Sequence, residues 1–305
     1  MQNKNAFIAE LKKILSEPQV MLDEPMKNHT TFKIGGPADC LIFPSSLEEV
    51  RLVFKLIRTF EMPVTVIGNG SNVLVLDKGV RGVVVKFNSN LSYIRQEKNH
   101  IFAGAGALLK DVSFYAAEHG LSGMEFAVGI PGSIGGAVFM NAGAYDGEIK
   151  SIVHAITAVS LAGDMIHYSK AELQFGYRHS IFQDNQQMIC EVEFALTEGL
   201  HTAINDKMGD LTKRRESKQP LEMPSAGSTF KRPQGYFAGT LIEQSGLKGF
   251  KVGGAQISLK HAGFVVNAGG ATAKDVLDLI KEVQDRVFEK HGVKLYPEVR
   301  MIGEQ

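Results

Sequence analysis

The sequence predicts an α+β protein that is built from more than one domain, and three observations support this fold class. The chain has 305 residues, which is long enough for two or three domains. Apolar residues recur at helical spacing towards both ends of the chain, after Ser46 and after Thr272. Between these helices, residues 152–196 contain several short runs rich in β-branched residues, which are typical of strands.

The first predicted lobe covers residues 1–85. It opens on a charged helix, and the run "ADCLIF" then predicts a strand that ends at Pro44. Ser46 and Glu49 have the S-x-x-E spacing of a capping box at the start of the next helix. The predicted inward face of that helix is Val50, Val53, Phe54 and Ile57. The runs "PVTVI", "VLVL" and "GVVVKF" predict further strands.

The second predicted lobe covers residues 86–202 and is rich in strands. The run "HIFAG" predicts a strand, and a helix follows it with Leu108, Val112 and Tyr115 facing inward. Gly120 predicts the end of this helix. Three later runs, "IVHAITAVSL", "MIHYS" and "MICEVEFAL", predict strands, and "LAGD" predicts a hairpin turn between the first two.

The third predicted lobe covers residues 203–305 and has α+β character. It begins with a polar helix and ends with a strongly periodic one, for which Thr272 and Asp275 predict the start and Gly292 the end. The inward face of that last helix is predicted at Val276, Leu279, Ile280, Val283 and Val287. The final strand is interrupted by Pro297, and we expect its part near residues 299–304 to return to the first lobe.

Composition excludes several functional classes. The 33 lysines and arginines balance 33 acidic residues, so the chain has no general positive charge with which to bind a nucleic acid. Cys40 and Cys190 are far apart with apolar neighbours, so we expect buried free thiols rather than a disulfide or a metal pair. The chain shows neither a signal peptide nor a run of about 18 apolar residues. We therefore expect a cytoplasmic protein without a metal, nucleic-acid or membrane partner.

Three glycine-rich turns follow predicted strands, at residues 68–72, 104–106 and 129–136. None of them has the G-x-G-x-x-G spacing of a Rossmann fold. Successive backbone N–H groups in such turns can bind phosphate oxygens without any lysine, and residues 129–148 contain no basic residue. We interpret the turns as the site of a dinucleotide cofactor. From these residues alone, tight turns and close strand packing remain alternative explanations.

Neutral side chains in these loops add hydrogen-bond donors, and the small residues of "NAGA" leave room for a flat ring beside the main chain. The predicted cofactor-binding residues are Gly68, Asn69, Gly70, Ser71, Asn72, Gly129, Ile130, Pro131, Gly132, Ser133, Gly135, Gly136, Asn141, Ala142, Gly143 and Ala144.

The order of eight motifs closely resembles the UDP-N-acetylenolpyruvoylglucosamine reductase (MurB) family over residues 28–304. The motifs are "TTFKIGGPA", "GNGSNVLV", "AGAGALL", "GIPGSIGGAVFMNAGAYDGE", "FGYRHSIF", "KQPLEMPSAGSTFKRP", "AGTLIEQSGLKGFKVGGAQIS" and "LYPEVRMIG". The resemblance implies a two-lobed FAD-binding region of the vanillyl-alcohol-oxidase/PCMH type and a C-terminal α+β lobe for a UDP-sugar. The loops lack the His or Cys to which some relatives of that fold attach the flavin, so non-covalent FAD is expected.

The resemblance also implies a reaction: NADPH supplies hydride through FAD to the enolpyruvyl double bond of the UDP-sugar, and UDP-N-acetylmuramate is formed. Arg178 matches the residue that grips the substrate carboxylate, and a guanidinium can do so with two parallel hydrogen bonds. Ser228 matches the proton donor, and Glu298 matches the residue that stabilises the enol. Taken without the resemblance, a surface arginine, a turn serine and a glutamate paired with Arg300 are the simpler interpretations.

Four residues are expected to bind the UDP-sugar: Lys218, Lys231, Arg232 and His261. No tyrosine-bearing lid is inserted between Arg178 and Ser228, so the chain resembles the lid-less (type II) class. A monomer is expected as well. Arg232 stands where the lidded class usually has asparagine, which leaves the diphosphate contacts open. Two alternatives are another flavin-dependent oxidoreductase of the same fold, acting on an alcohol or sugar, and a non-catalytic module that binds FAD or a UDP-sugar.

Overall fold

The computed structural model of the chain describes residues 2–87 and 91–305, with side chains from residue 4 onward. The helices are α1 Gln2–Ile14, α2 Leu47–Thr59, α3 Leu109–Glu118, α4 Ile134–Phe139, α5 Ile149–Ile152, α6 Phe182–Asn185, α7 His201–Lys218, α8 Ala238–Gln244 and α9 Ala273–His291. The strands are β1 Val20–Pro25, β2 Pro37–Ile42, β3 Val64–Ile67, β4 Val73–Val75, β5 Val80–Lys86, β6 Ile94–Glu97, β7 His100–Gly104, β8 Leu121–Ser122, β9 Gly143–Ala144, β10 Gly147–Glu148, β11 Val153–Val159, β12 Met165–Ser169, β13 Met188–Ala195, β14 Thr197–Glu198, β15 Ser225–Ser228, β16 Lys251–Val252, β17 Ala255–Ile257, β18 Phe264–Asn267 and β19 Arg300–Ile302.

The chain divides into two compact units. The first consists of residues 1–22, 40–69 and 82–214, and the second of residues 23–39, 70–81 and 215–305. The finer division into three lobes that the sequence suggests stays a prediction.

The first unit contains an antiparallel five-stranded sheet in the order β12-β11-β13-β7-β6. One face of this sheet is apolar, and helices α3 and α4 pack with it into a core that includes Ile101, Val192 and Phe194. A second core lies under α1 and α2, around Phe7 and Phe54. Because β11, β13 and β7 alternate apolar and polar residues, the opposite face of the sheet carries mainly polar side chains.

The second unit contains an antiparallel four-stranded sheet in the order β15-β18-β17-β16, and helix α9 packs on it. Strand β19, close to the end of the chain, pairs in parallel with β4. The core of this unit contains residues from its separate segments, for instance Leu74 and Val299, packed with the apolar face of α9. Residues 70–81 therefore belong to the same packed body as the C-terminal third of the chain.

Two amphipathic helices confirm the sequence predictions closely. In α2 the buried residues are the four predicted ones, and in α9 all five predicted apolar residues are buried. Helix α9 begins after Thr272, which accepts a hydrogen bond from the Asp275 N–H, and ends at Gly292 with φ = 68°. The carboxylate of Asp77 also accepts hydrogen bonds from the first two N–H groups of this helix. Local periodicity and capping were sufficient to predict both helices.

Three local predictions were wrong. In α3 Val112 is buried as predicted, but Leu109 and Ala116 complete the buried face, and the predicted Leu108 and Tyr115 are only partly buried. Ser46 caps α2, but the Glu49 carboxylate binds the Ser45 N–H instead of closing a capping box.

The glycine-rich loop also contains the short helix α4, which the sequence analysis treated as loop. Its residues pack tightly on Ala105 because glycine has no side chain to prevent the approach.

The structure places Cys40 and Cys190 in the protein interior. Cys40 and Cys190 are buried free thiols, as predicted, and burial raises the pKa of Cys190 to about 12. A thiol with such a pKa is unreactive near neutral pH.

Among the described residues, no helix combines the length and the apolar character that crossing a bilayer requires.

Candidate active site

Two of the predicted cofactor loops contact each other in the first unit. Gly68 follows β3, and a Cβ atom at this position would lie only 2.3 Å from the Oγ of Ser133. The neighbouring Asn69 donates a hydrogen bond from Nδ2 to the carbonyl of Pro131 at 2.6 Å. The "GNGSN" and "GIPGSIGG" loops are therefore held side by side, and the absence of a side chain at Gly68 is what permits it.

Ser133 is the most informative residue of these loops. It precedes α4 and is only 4% exposed, yet within the described part of the chain its Oγ makes no hydrogen bond. A buried hydroxyl without a partner costs about 1–3 kcal/mol, so such groups usually serve a ligand or a water. At Gly136 an added Cβ would meet only Ser133 Oγ at 3.5 Å and Gly68 Cα at 4.0 Å. Among the described residues the loops thus hold a buried donor without a hydrogen-bond partner beside two glycines, which fits a phosphate oxygen of a dinucleotide.

The side chain of Asn141, a predicted cofactor-binding residue, is held by hydrogen bonds within the fold. Its side chain is fully buried, and both amide hydrogens are already used, towards Glu148 Oε2 at 2.8 Å and the Gly176 carbonyl at 2.9 Å. Its Oδ1 accepts the Lys150 N–H. Asn141 therefore braces the "NAGA" segment against the turn that carries Arg178. Sequence reasoning missed this role because the partners are distant along the chain.

Arg178 lies in a tight turn of the first unit. Its backbone has φ = 54°, a left-handed conformation that is strained for a residue with a side chain. The turn is closed by a bridge between Gly176 and His179, and Gln183 Nε2 donates to the Arg178 carbonyl at 2.9 Å. The guanidinium donates from Nη2 to the Gly143 carbonyl at 3.2 Å. The structure therefore brings the predicted carboxylate-binding arginine next to the predicted cofactor loop.

Ser228 and Glu298 come together in the second unit. Ser228 is an exposed residue at the end of β15, which is an edge strand. The next residue, Thr229, accepts the Glu298 N–H on its carbonyl at 2.8 Å. Thr229 is also anchored by its side chain, whose Oγ1 accepts the Val265 N–H at 2.9 Å. A buried threonine thus fixes the backbone of both candidate catalytic residues, and no local signal in the sequence revealed it.

The remaining part of the "GNGSN" loop lies in this second unit as well. Gly70 has φ = 68°, and a Cβ there would lie 2.4 Å from the His29 carbonyl, so glycine is required. Asn72 donates from Nδ2 to the Glu298 carbonyl at 3.3 Å. A Cβ at Gly227 would be 4.0 Å from the Ser71 carbonyl. The end of the predicted cofactor loop therefore contacts the segments that carry Ser228 and Glu298.

The four predicted substrate-binding residues also belong to the second unit. Lys231 and Arg232 are exposed and continue the segment that begins at Ser228, and Lys218 is exposed at the end of α7. The guanidinium of Arg232 lies over the ring of Phe237, 4.0 Å from its centroid. This stacking orients a cation on an exposed surface. The aromatic partner was not predicted from the sequence.

His261 is the candidate whose charge state the structure defines. Burial lowers the pKa of its imidazole below the ordinary value of 6.5. Its Nδ1 accepts the Gly263 N–H at 3.0 Å, so the proton of the neutral ring resides on Nε2. At pH 7 His261 is therefore a neutral ring with one N–H to donate, and it adds no positive charge to the surface.

The contact between Gly68 and Ser133 allows a direct test of cofactor binding. Gly68→Ala is expected to displace the Ser133 hydroxyl, and loss of a hydrogen bond to a charged oxygen weakens FAD binding by about tenfold or more. Flavin fluorescence during titration of the apoprotein with FAD measures this affinity.

Ser133→Ala is expected to weaken FAD binding by a similar factor, because it removes the same hydrogen-bond donor without a steric clash. Gly209→Ala is the matched control, since Gly209 lies in α7 with no atom within 4 Å of the added Cβ. It should keep wild-type FAD affinity and gain about 0.5–1 kcal/mol of stability. Wild-type FAD affinity in both loop variants would contradict the assignment.

Two family models match the chain. The model described as UDP-N-acetylenolpyruvoylglucosamine reductase, C-terminal domain, matches residues 219–302. A second model, described as FAD binding domain, matches residues 38–169. Together they include most of the residues discussed above, with Arg178 in the stretch between the two matches.

Relatives and solved structures extend this similarity over the whole chain. A protein named UDP-N-acetylenolpyruvoylglucosamine reductase from Clostridium perfringens (strain SM101 / Type A) is 53% identical over 297 residues, with 97% of each chain covered. A protein of the same name from Alkaliphilus oremlandii (strain OhILAs) is 50% identical over 295 residues, again with 97% of each covered. The crystal structure of UDP-N-acetylenolpyruvylglucosamine reductase (MurB) from Thermus caldophilus superposes with a TM-score of 0.81 at 38% identity and covers 93% of this chain and 98% of that one.

A more distant structure shows the fold alone. Alkyldihydroxyacetonephosphate synthase superposes with a TM-score of 0.50 at 15% identity and covers 64% of this chain and 40% of that one. The predicted fold class, an FAD-binding region of the PCMH type with mixed helices and strands, is confirmed.

Proposed function

The chain belongs to the family of UDP-N-acetylenolpyruvoylglucosamine reductases, and on this premise we propose which of its residues carry out the reaction. The enzyme is an FAD-containing oxidoreductase that uses NADPH to reduce UDP-N-acetylglucosamine enolpyruvate to UDP-N-acetylmuramate, a step in peptidoglycan precursor synthesis. We further propose that it acts as a cytoplasmic monomer. The residue roles below are part of the same proposal.

FAD is held without a covalent bond by the glycine loops. Ser133 Oγ and the backbone N–H groups of residues 68–72 and 129–136 would bind the diphosphate, and residues 142–144 would flank the flavin ring. The support is the Ser133 hydroxyl, which is buried beside Gly68 and Gly136 and has no hydrogen-bond partner among the described residues. When bound, FAD would supply the chemistry of hydride transfer from NADPH to the substrate double bond.

Arg178 binds and orients the carboxylate of the enolpyruvyl group. As hydride adds to the terminal carbon, negative charge moves towards this carboxylate, and a guanidinium that stays charged stabilises it. Its contact with the Gly143 carbonyl supports this role, because it fixes the guanidinium beside the loop assigned to the flavin ring. A guanidinium has the planar geometry to bind both oxygens of a carboxylate with two parallel hydrogen bonds.

Ser228 donates the proton that completes the reduction. A serine hydroxyl is a weak acid, but the carbon of an enolate is a strong base, so the transfer is chemically reasonable. Ser228 is exposed at the end of an edge strand, where a substrate can reach it. Glu298 is held on the neighbouring segment by the Thr229 carbonyl and stabilises the enol form.

The UDP-sugar is bound by the second unit, through Lys218, Lys231, Arg232 and His261. The ammonium groups of the two lysines and the guanidinium of Arg232 balance the charge of the diphosphate. The neutral His261 ring donates one hydrogen bond from Nε2. We therefore propose three lobes, of which residues 1–85 and 86–202 bind FAD and residues 203–305 bind the UDP-sugar.

The observation that carries the proposal is the partnerless Ser133 hydroxyl between glycines in a chain of this family. The test follows NADPH absorbance with and without UDP-N-acetylglucosamine enolpyruvate, and identifies the product by mass spectrometry. We expect NADPH to be consumed only with the substrate and one UDP-N-acetylmuramate to be formed per NADPH. Reduction of the flavin by simple alcohols or sugars in place of NADPH would identify a different oxidoreductase, and no turnover in flavin-loaded protein would contradict the proposal.

A further inference from the structure

Three residues with metal-binding side chains meet on the polar face of the five-stranded sheet. His154, Glu193 and His100 lie on β11, β13 and β7, which are neighbours in the sheet. None of the three is assigned to FAD, NADPH or the UDP-sugar. They are scattered along the sequence, so no metal-binding spacing was visible there.

The three side chains are already in contact. His100 Nδ1 lies 2.6 Å from Glu193 Oε1, and the rings of His100 and His154 are perpendicular with centroids 5.0 Å apart. One possible ligand atom from each residue lies within 4.8 Å of the other two. His100 and Glu193 are partly buried, while His154 is exposed. This is a compact group that is open to solvent on one side.

A β-bulge explains why His154 reaches the other two residues. Strands β11 and β13 pair Val153 with Phe194 and then Ala155 with Glu193, so His154 is an extra residue without a partner in the ladder. Val153 is buried in the core, so alternation directs His154 to the opposite, polar face. The bulge sets His154 and Ala155 together opposite Glu193, and the His154 ring lies beside the ring of His100.

We propose that His100, His154 and Glu193 form a binding site for a divalent transition-metal ion, of which zinc is the expected occupant. Two imidazoles and one carboxylate form a donor set that suits zinc, whereas magnesium and calcium prefer oxygen ligands alone. Three protein ligands leave a fourth tetrahedral position for water.

Small side-chain movements are sufficient to form the site. Tetrahedral zinc with bonds of about 2.0–2.1 Å holds its ligand atoms about 3.3 Å apart. The His100–Glu193 pair must therefore separate slightly, and the exposed His154 ring must move inward. The ion would replace the hydrogen bond between His100 and Glu193 and join three neighbouring strands. We therefore expect zinc to stabilise the fold of the first unit without taking part in the reduction.

The experiment uses the full-length, FAD-loaded protein after treatment with a chelator. Isothermal titration with zinc chloride is expected to show one bound ion per chain, and the melting temperature should rise with zinc concentration. Magnesium chloride should give neither effect. Cobalt(II) in place of zinc should give the visible absorption bands of a four-coordinate site.

His154→Ala and Glu193→Gln each remove a ligand and should weaken zinc binding by more than about 100-fold, because loss of a group that only supports a ligand already costs about 10- to 100-fold. His167→Ala is the matched control, because His167 is an exposed histidine on the adjacent strand β12, where its Nδ1 lies 3.1 Å from Thr157 Oγ1. The control should keep wild-type zinc affinity. Since His154 is exposed, its variant should fold, and unchanged flavin absorbance verifies this. Absence of stoichiometric zinc binding, or equal zinc affinity in the wild type and His154→Ala, would overturn the proposal.

Discussion

Ser228→Ala is expected to leave reduction of the flavin by NADPH at the wild-type rate, and to slow its reoxidation by the UDP-sugar substrate by about 10²- to 10⁴-fold. The reason is that proton donation is needed only when the substrate is reduced. Stopped-flow absorbance of the flavin measures the two half-reactions separately, because NADPH bleaches the flavin absorbance and the substrate restores it.

The fold should survive this substitution. Ser228 is exposed, and the backbone of its segment is held by Thr229, not by the serine side chain. Ser225→Ala is the matched control, since it removes a hydroxyl from the same strand β15. Ser225 meets the Thr31 hydroxyl only through its backbone carbonyl, so the variant should behave as the wild type in both half-reactions. An equal loss in both half-reactions of Ser228→Ala would contradict its role as the proton donor.

Arg178→Lys should reduce the rate of substrate reduction by well over tenfold while NADPH still bleaches the flavin. A lysine keeps the charge but has no planar pair of donors, so the two parallel hydrogen bonds to the carboxylate are lost together. It would also lose the geometry with which Arg178 donates to the Gly143 carbonyl. Steady-state kinetics should therefore show a lower kcat together with a higher KM for the UDP-sugar.

Arg95→Lys is the control for this second variant. Arg95 lies on β6 of the same unit, with its guanidinium over the Phe102 ring, and has no proposed role in the reaction. We expect wild-type kinetics from this control. Near-normal substrate reduction by Arg178→Lys would show that a single positive charge is enough to bind the carboxylate. It would contradict the proposed bidentate contact.

Local patterns in the sequence predicted much of the fold. Helices α2 and α9 follow from apolar spacing and capping residues, both of which act within a few residues along the chain. The three long strands of the central sheet and the hairpin between β11 and β12 were also predicted from local runs.

Long-range relations were harder to predict. The sequence suggested that the last strand returns to the N-terminal part of the chain, and β19 does pair in parallel with β4. It gave no sign, however, that residues 70–81 pack in one unit with the C-terminal third. Such packing depends on contacts between distant segments, which residue spacing does not encode.

The candidate site shows the same limit. The family resemblance identified Arg178, Ser228 and Glu298, but their supporting contacts came only from the structure. Asn141 is predicted as a neutral donor in the glycine-rich loop, and only the structure shows that its amide also binds Glu148 and Gly176. Thr229 was overlooked because a buried threonine carries no signal of its anchoring role.

The most direct test of the central claim is the flavin content of the purified protein. The account predicts a yellow protein with one FAD per chain, all of it released into solution by acid precipitation because the glycine loops bind it without a covalent bond. It also predicts that the apoprotein takes FAD up again. A colourless protein that fails to bind added FAD, or a flavin that stays attached to the precipitated chain, would contradict it.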